Sequence, residues 1–235
     1  KIWQIDMKVN EHAENLIAHD LLGGTVEMKG RAVVPPPDHT YEVEGEIGHF
    51  YDESPENAAL RNWQDGQYTE FQKGLAQRWR KAIKEIDLED VFRRGKPLRK
   101  EIFRGQDLSS IFKLTTEFCS GVGRVYITLK LMLDLLEVPK LYQRRVIGRW
   151  KMMGRPNLED FAPYAWHCFR IDIFFLFSLQ SGLVNPRRTN RIDIQYLYYL
   201  PFCQIFTSCD DFHQQIVEFF LRDDQEFVHG DILKG

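Results

Sequence analysis

The chain has 235 residues, of which 43% are hydrophobic, 28% charged and 13% aromatic, and its formal net charge is −3. That composition is too apolar for a disordered chain and too charged for a bundle of membrane spans, and the length allows one or two domains with a sizeable core. The small negative total gives no global pull toward nucleic acid or anionic membranes, so either partner has to be met by a local patch.

The chain opens on Lys1 rather than Met, which leaves room for residues upstream; no basic-then-apolar leader follows, and no charge-free apolar run reaches membrane length. Ile2-Trp3-Gln4-Ile5-Asp6 predicts a short strand, and a helix runs from about Asn10 to Leu22 until Gly23-Gly24 ends it. Val26 to Val34 alternates like a strand or hairpin arm, which Pro35-Pro36-Pro37 stops. From there to Gly66 the chain is acidic (Glu42, Glu44, Glu46, Asp52, Glu53, Glu56) and poor in large apolar residues, which predicts a loop-rich arm. The domain boundary is therefore placed here. Residues 1–66 form an N-terminal strand, helix and arm able to complete a helix-rich main domain over 67–235.

Phe71, Leu75, Trp79 and Ile83 recur every four residues and predict a helix over Gln67–Ile86. Asp107 or Ser109 can cap a helix that passes through Phe118 and closes at Gly121 and Gly123. Further helices are expected over Val125–Leu136, Leu141–Met153 and Tyr164–Leu179, the last being the most apolar. Asn185-Pro186 begins a turn, and helix resumes over Ile192–Phe202. Gln204 to Ser208 is short and β-prone, Phe212–Leu221 reads as helix, and Glu226–His229 as a final strand. The sum is an α/β chain, rich in helix, with a small, mainly parallel sheet and flanking helices. Cys119, Cys168, Cys203 and Cys209 are too few for a disulfide framework, and three lie in apolar runs, which favours a reducing, cytoplasmic setting.

Arg-Ile-Asp-Ile occurs twice, at 170–173 and 191–194, and each copy sets an Asp in apolar surroundings. A buried carboxylate is costly unless it is paired or binds a cation. Asp172 therefore reads either as half of an Arg–Asp pair or as one wall of an acidic metal site. With Asn190 as N-cap, Asp193 would fall at the third helical position, where a carboxylate favours the helix N-terminus. Asp210 follows the strand-like segment directly, where α/β sheets open into ligand-binding loops; its ordinary reading is a turn or a helix cap.

From Asp193 to Phe212 the order is acid at a helix start, apolar helix, short hydrophobic strand, Thr207-Ser208, then acid and aromatic. This resembles the C-terminal part of PIN-like nuclease domains. The resemblance implies a helix-borne Asp193 and a second acid, Asp210, that help to hold a divalent metal. It also implies a first acid after an opening strand, matched by Asp6, and a middle acid, for which Glu117 and Asp172 are the alternatives. On that reading Asp6, Asp193 and Asp210 are metal ligands, with Asp172 a further ligand or water-positioning acid and Asp210, Asp193 and Asp172 the catalytic set. Converging carboxylates favour Mg²⁺ or Mn²⁺, which would generate hydroxide and stabilise displacement at a phosphodiester. Thr207 and Ser208 can hydrogen-bond a phosphate or a ligand carboxylate. RNA is favoured as substrate because the resemblance implies it.

Phosphate contacts are expected from Arg187, Arg188 and Arg191, from the acid-free stretch Lys140–Arg155, and from Lys73–Arg104. Solvated helix faces are the ordinary explanation of such runs. The rival function is non-catalytic: a helical interaction module whose aromatics are core and whose basic faces bind protein or nucleic acid. A protein partner or a second copy stays open; a membrane is not expected. Cys203, Cys209, His213 and His229 match no zinc spacing, no third group orients a Cys209–His213 nucleophile pair, and no glycine-rich phosphate loop occurs.

Overall fold

The computed structural model describes residues 4–5, 13–28, 32–33, 39–43, 45–50, several positions between 62 and 77, and residues 105–120, 123–184 and 188–234. The chain divides into two compact units, Lys1–Asp6 with Arg31–Ile86, and Met7–Gly30 with Asp87–Gly235.

In the first unit, β1 (Gln4–Ile5) pairs antiparallel with β2 (Ala32–Val33), and β3 (His39–Val43) pairs antiparallel with β4 (Glu46–Phe50). The hairpin corrects the expectation of a loop-rich arm over this part of the acidic segment. Between its acids lie strand-prone residues, Thr40, Tyr41 and Val43 on one strand and Ile47 on the other, with Thr40 opposite His49 and Glu42 opposite Ile47, joined by a two-residue turn. Gly45 sits in that turn at φ 83°, a left-handed conformation that glycine adopts without a side-chain clash. Most of the helix expected over Gln67–Ile86 lies outside the described residues.

The second unit is helical: α1 (Ala13–Leu21), α2 (Leu108–Ser120), α3 (Val125–Leu135), α4 (Lys140–Met152), α5 (Leu158–Phe161), α6 (Pro163–Ser181) and α7 (Arg188–Tyr196). A 3-10 segment, Leu197–Phe202, leads to β5 (Ile205–Ser208), α8 (Asp211–Ile216) and β6 (Glu226–His229). Asp107 caps α2 as expected, its Oδ1 accepting the Ser110 N–H at 2.7 Å. The chain is thus helix-rich with a small parallel sheet, β5 beside β6, in register from Ile205 opposite Glu226 to Ser208 opposite His229. The other two ladders among the described residues are antiparallel, so parallel pairing is confined to the C-terminal pair.

Helix α6 is the core element, and it packs against α1, α2, α3, α5 and the 3-10 segment. Its Phe169, Ile171, Phe174 and Leu179 are buried, and Phe174 meets Phe112, Phe219 and Phe220 at ring separations of 6.3, 5.8 and 5.4 Å. Each such ring contributes roughly 1.5–3 kcal/mol by leaving water. The helix starts with Pro163, whose missing N–H costs nothing there, and ends at Gly182 in the left-handed conformation, φ 79°.

The α6 N-terminus has no cap of its own. Buried Asp20 of α1 supplies one from 145 positions away, Oδ2 accepting the Ala165 N–H at 2.9 Å. Arg149 of α4 secures the same junction: its Nη1 donates to the carbonyls of Leu21 and Phe161 at 3.2 and 3.3 Å, and its guanidinium lies 4.5 Å from the centre of the Phe161 ring.

Candidate functional site

Strand β5 ends at Ser208, and the two-residue period turns Phe206 and Ser208 inward while Ile205 and Thr207 face out. Two residues on, Asp210 caps α8. Its Oδ1 accepts the N–H groups of Phe212 at 2.8 Å and His213 at 3.1 Å. The cap reading of Asp210 is therefore correct, and so is its place at the open end of a parallel strand.

His213, on the first turn of α8, is only 4% exposed and lies between the rings of Phe206 and Tyr196, 5.4 and 6.1 Å away. Its Nε2 is 2.7 Å from the backbone oxygen of Asp193. A carbonyl only accepts, so Nε2 carries the proton and donates. Nδ1 lies 2.8 Å from the Ser208 hydroxyl oxygen and shares a hydrogen bond with it. The Ser208 Oγ in turn accepts the Asp210 N–H at 3.1 Å. One imidazole thus ties α7, β5 and α8 together at the point where both acids emerge.

Asp193 lies on α7, half-buried, beyond the helix start. The helix begins at Arg188, which corrects the expectation that Asn190 is the N-cap and Asp193 the third helical residue. The Asp193 carboxyl is pushed up, first by burial and then by the negative charge of Asp210, against a smaller opposing pull from His213. It makes no hydrogen bond or ion pair among the described residues. Two carboxylates therefore share one region, and the Asp193 side chain has no ion-pair partner among the described residues.

Asp172 lies elsewhere on α6, 4% exposed, where its Oδ1 accepts the Tyr198 hydroxyl at 2.6 Å. Arg170 does not pair with it locally, because its guanidinium sits over the rings of Trp166 and Phe112, 4.5 and 5.3 Å from their centres. Among the described residues the charges that bear on Asp193 are those of Asp210 and His213, and Asp172 is not one of them. Asp172 and Asp20 instead flank Cys168, whose thiol is held well above its usual range by burial and by both acids. Glu117 is exposed on α2 and Thr207 is exposed on β5. Asp6 and Arg187 lie outside the described residues. Arg188 and Arg191 belong to α7, but nothing is described of their side chains.

Sequence reasoning weighed His213 only as a zinc ligand or a partner for Cys209. Both of its ring nitrogens are engaged, with Ser208 and Asp193, which leaves neither for those roles. The signal that could have found its real place is the Ser-x-Asp-x-x-His spacing, since a capping acid fixes a His three residues on over the preceding strand end.

Among the described residues no group of three or more His, Cys, Asp or Glu side chains could hold a metal ion. The Asp193–Asp210 pair still fits one class of ion. Mg²⁺ and Mn²⁺ are bound through one or two carboxylates with water completing the shell, whereas calcium or zinc sites take more protein ligands. The raised Asp193 carboxyl, beside a like charge, is the state that such an ion relieves.

No family model, no curated protein and no solved structure matches this chain. Among the described residues no helix is long and apolar enough to cross a membrane.

Proposed function

We propose that the chain is a metal-dependent nuclease of the PIN-like kind, hydrolysing phosphodiester bonds in RNA, with Asp193 and Asp210 as the carboxylates that hold Mg²⁺ or Mn²⁺. The observation that carries this reading is the half-buried Asp193 carboxylate, raised by burial and by the charge of Asp210, which caps a helix at the open end of a parallel strand pair. The ion, when bound, would supply hydroxide at neutral pH and charge stabilisation at the phosphorus. Asp210 keeps Oδ2 for this work, because the cap bonds to Phe212 and His213 both fall on Oδ1. Ser208 and His213 hold the strand end and α7 in mutual register. The arginines 187, 188 and 191, adjoining Asp193 in sequence, would meet the phosphates.

Asp210→Asn is the discriminating variant. Asparagine caps a helix as well as aspartate does, so the fold is kept while the charge is lost. Hydrolysis of labelled RNA in Mn²⁺ is expected to fall by at least ~100-fold in Asp193→Asn and Asp210→Asn, the scale of removing a group that stabilises developing charge. Activity equal to the parent in Asp210→Asn would sink the reading. Asp210→Ala is expected to lose about 1 kcal/mol of stability besides.

A further inference from the structure

We propose that the exposed face of α4, with the ring of Tyr126 beside it, is a docking surface for the backbone of single-stranded RNA. The choice of RNA rests on the nuclease reading above, but the surface is separate from the Asp193–Asp210 region. From 140 to 155 the chain carries six cations and no acid. The fold removes two of them from service. Arg149 turns inward to the carbonyls of Leu21 and Phe161, and Lys140 engages Asp134 at 2.7 Å. Arg144, Arg145, Lys151 and Arg155 remain exposed, and none of their side chains has an ion pair or hydrogen bond among the described residues.

The opposite face of α4 is spent on the core through Val146 and Trp150. Between the free cations, at helical spacing, lie Leu141, Gly148 and Met152. Leu141 is 72% and Met152 84% exposed, and the space above Gly148 is open. Tyr126 of α3 stacks on Trp150 with ring centres 6.0 Å apart, which sets it beside the C-terminal turn of α4. Its ring is still 42% exposed, and Lys130 Nζ stands 5.5 Å from its centre. Unpaired cations that track phosphates, interleaved with exposed apolar side chains, and an exposed ring on the neighbouring helix against which a base can lie, are what single-stranded nucleic acid requires. An acid-free helix in a chain of net charge −3 supplies the complementary charge locally.

The test uses the full chain and a fluorescein-labelled single-stranded RNA, in EDTA, with anisotropy followed against KCl. Arg144→Ala/Arg145→Ala is expected to weaken binding at least tenfold at low salt. It should also reduce the slope of log K against log salt by about 1.4, since each phosphate neutralised on a single strand contributes about 0.7. Tyr126→Leu is expected to weaken binding several-fold and leave the slope unchanged. Lys113→Ala removes a cation from an exposed site on α2 and should bind as the parent does. An unchanged slope in Arg144→Ala/Arg145→Ala, or an equal loss in Lys113→Ala, overturns the surface. So does equally tight binding to phosphatidylserine vesicles that the same substitutions abolish. With metal chelated, binding and cleavage are separate readouts. An Asp193→Asn/Asp210→Asn chain that still holds RNA through α4 upholds the surface even where hydrolysis is never seen.

Discussion

A single imidazole organises the candidate site, donating through Nε2 to the Asp193 carbonyl and meeting the Ser208 hydroxyl at Nδ1. The residue with the more diagnostic energetics is Asp193. Its carboxyl is raised in the folded chain by burial and by Asp210, so ionising it costs folding free energy at any pH above the unfolded value of about 3.9. Asp193→Asn is therefore expected to raise the Tm at neutral pH. The gain should shrink as the pH falls and vanish below about pH 3.9, where the acid is protonated in both states. Millimolar Mn²⁺ should raise the Tm of the parent and not that of the variant, because a ligand of the folded state stabilises it by mass action. Thermal melts with and without Mn²⁺ at pH 7 and pH 3.5 measure both effects. An Asp193→Asn melt equal to the parent at pH 7 would remove the like-charge pair from the account.

At the scale of elements, α6 is tied to distant segments at three points: by Asp20 at its start, by Arg149 at the adjoining junction, and by its own His167 along its length. His167 Nε2 donates to the Leu197 carbonyl at 3.0 Å and so fastens α6 to the 3-10 segment that leads to β5. Burial pushes its pKa down to about 4. The folded state thus rejects a proton that the unfolded chain accepts near pH 6.5. The stability that depends on neutral His167 is fully present above pH 6.5 and is lost as the pH falls toward 4. The loss amounts to about 3 kcal/mol over that window. His167→Gln keeps a donor for Leu197 and removes the titration. Urea midpoints at pH 7 and pH 4.5 should therefore fall less steeply with acid in the variant than in the parent. Parallel falls would show that the α6 junction is indifferent to this ring.

Over the whole molecule, the four thiols report burial independently of any functional reading. Cys119 and Cys168 are buried, Cys203 is half-buried and Cys209 is exposed, and none is bonded to another. Burial also pushes the Cys119 thiol up to about 12, which suppresses the reactive thiolate. Titration of the native protein with an aromatic disulfide should release one equivalent fast, from Cys209, with Cys203 slower. Cys119 and Cys168 should react only as the fold opens. Cys209→Ser should abolish the fast phase. Fast reaction of three or four thiols in the native state would contradict the core built around α6.

Much of the second unit was legible because its elements announce themselves locally. Asp107 before α2, the long apolar run of α6 and the β-prone runs before Asp210 and at Glu226–His229 all act within a few residues of their own positions. The acidic hairpin β3–β4 reads as loop in the sequence because Glu42, Glu44 and Glu46 dilute the alternation that strands display. Chain order alone placed Asp210 after a strand and Asp193 on a helix. It could not tell that Asp20 would cap a helix 145 positions away, that Tyr198 would take Asp172 out of the acidic pair, or that His213 would bridge two elements. Those pairings are contacts between segments far apart in the chain, and no pattern within either segment encodes them. Helix and strand placement is a local balance of propensity and burial, whereas which carboxylates end up facing each other depends on how the finished elements pack.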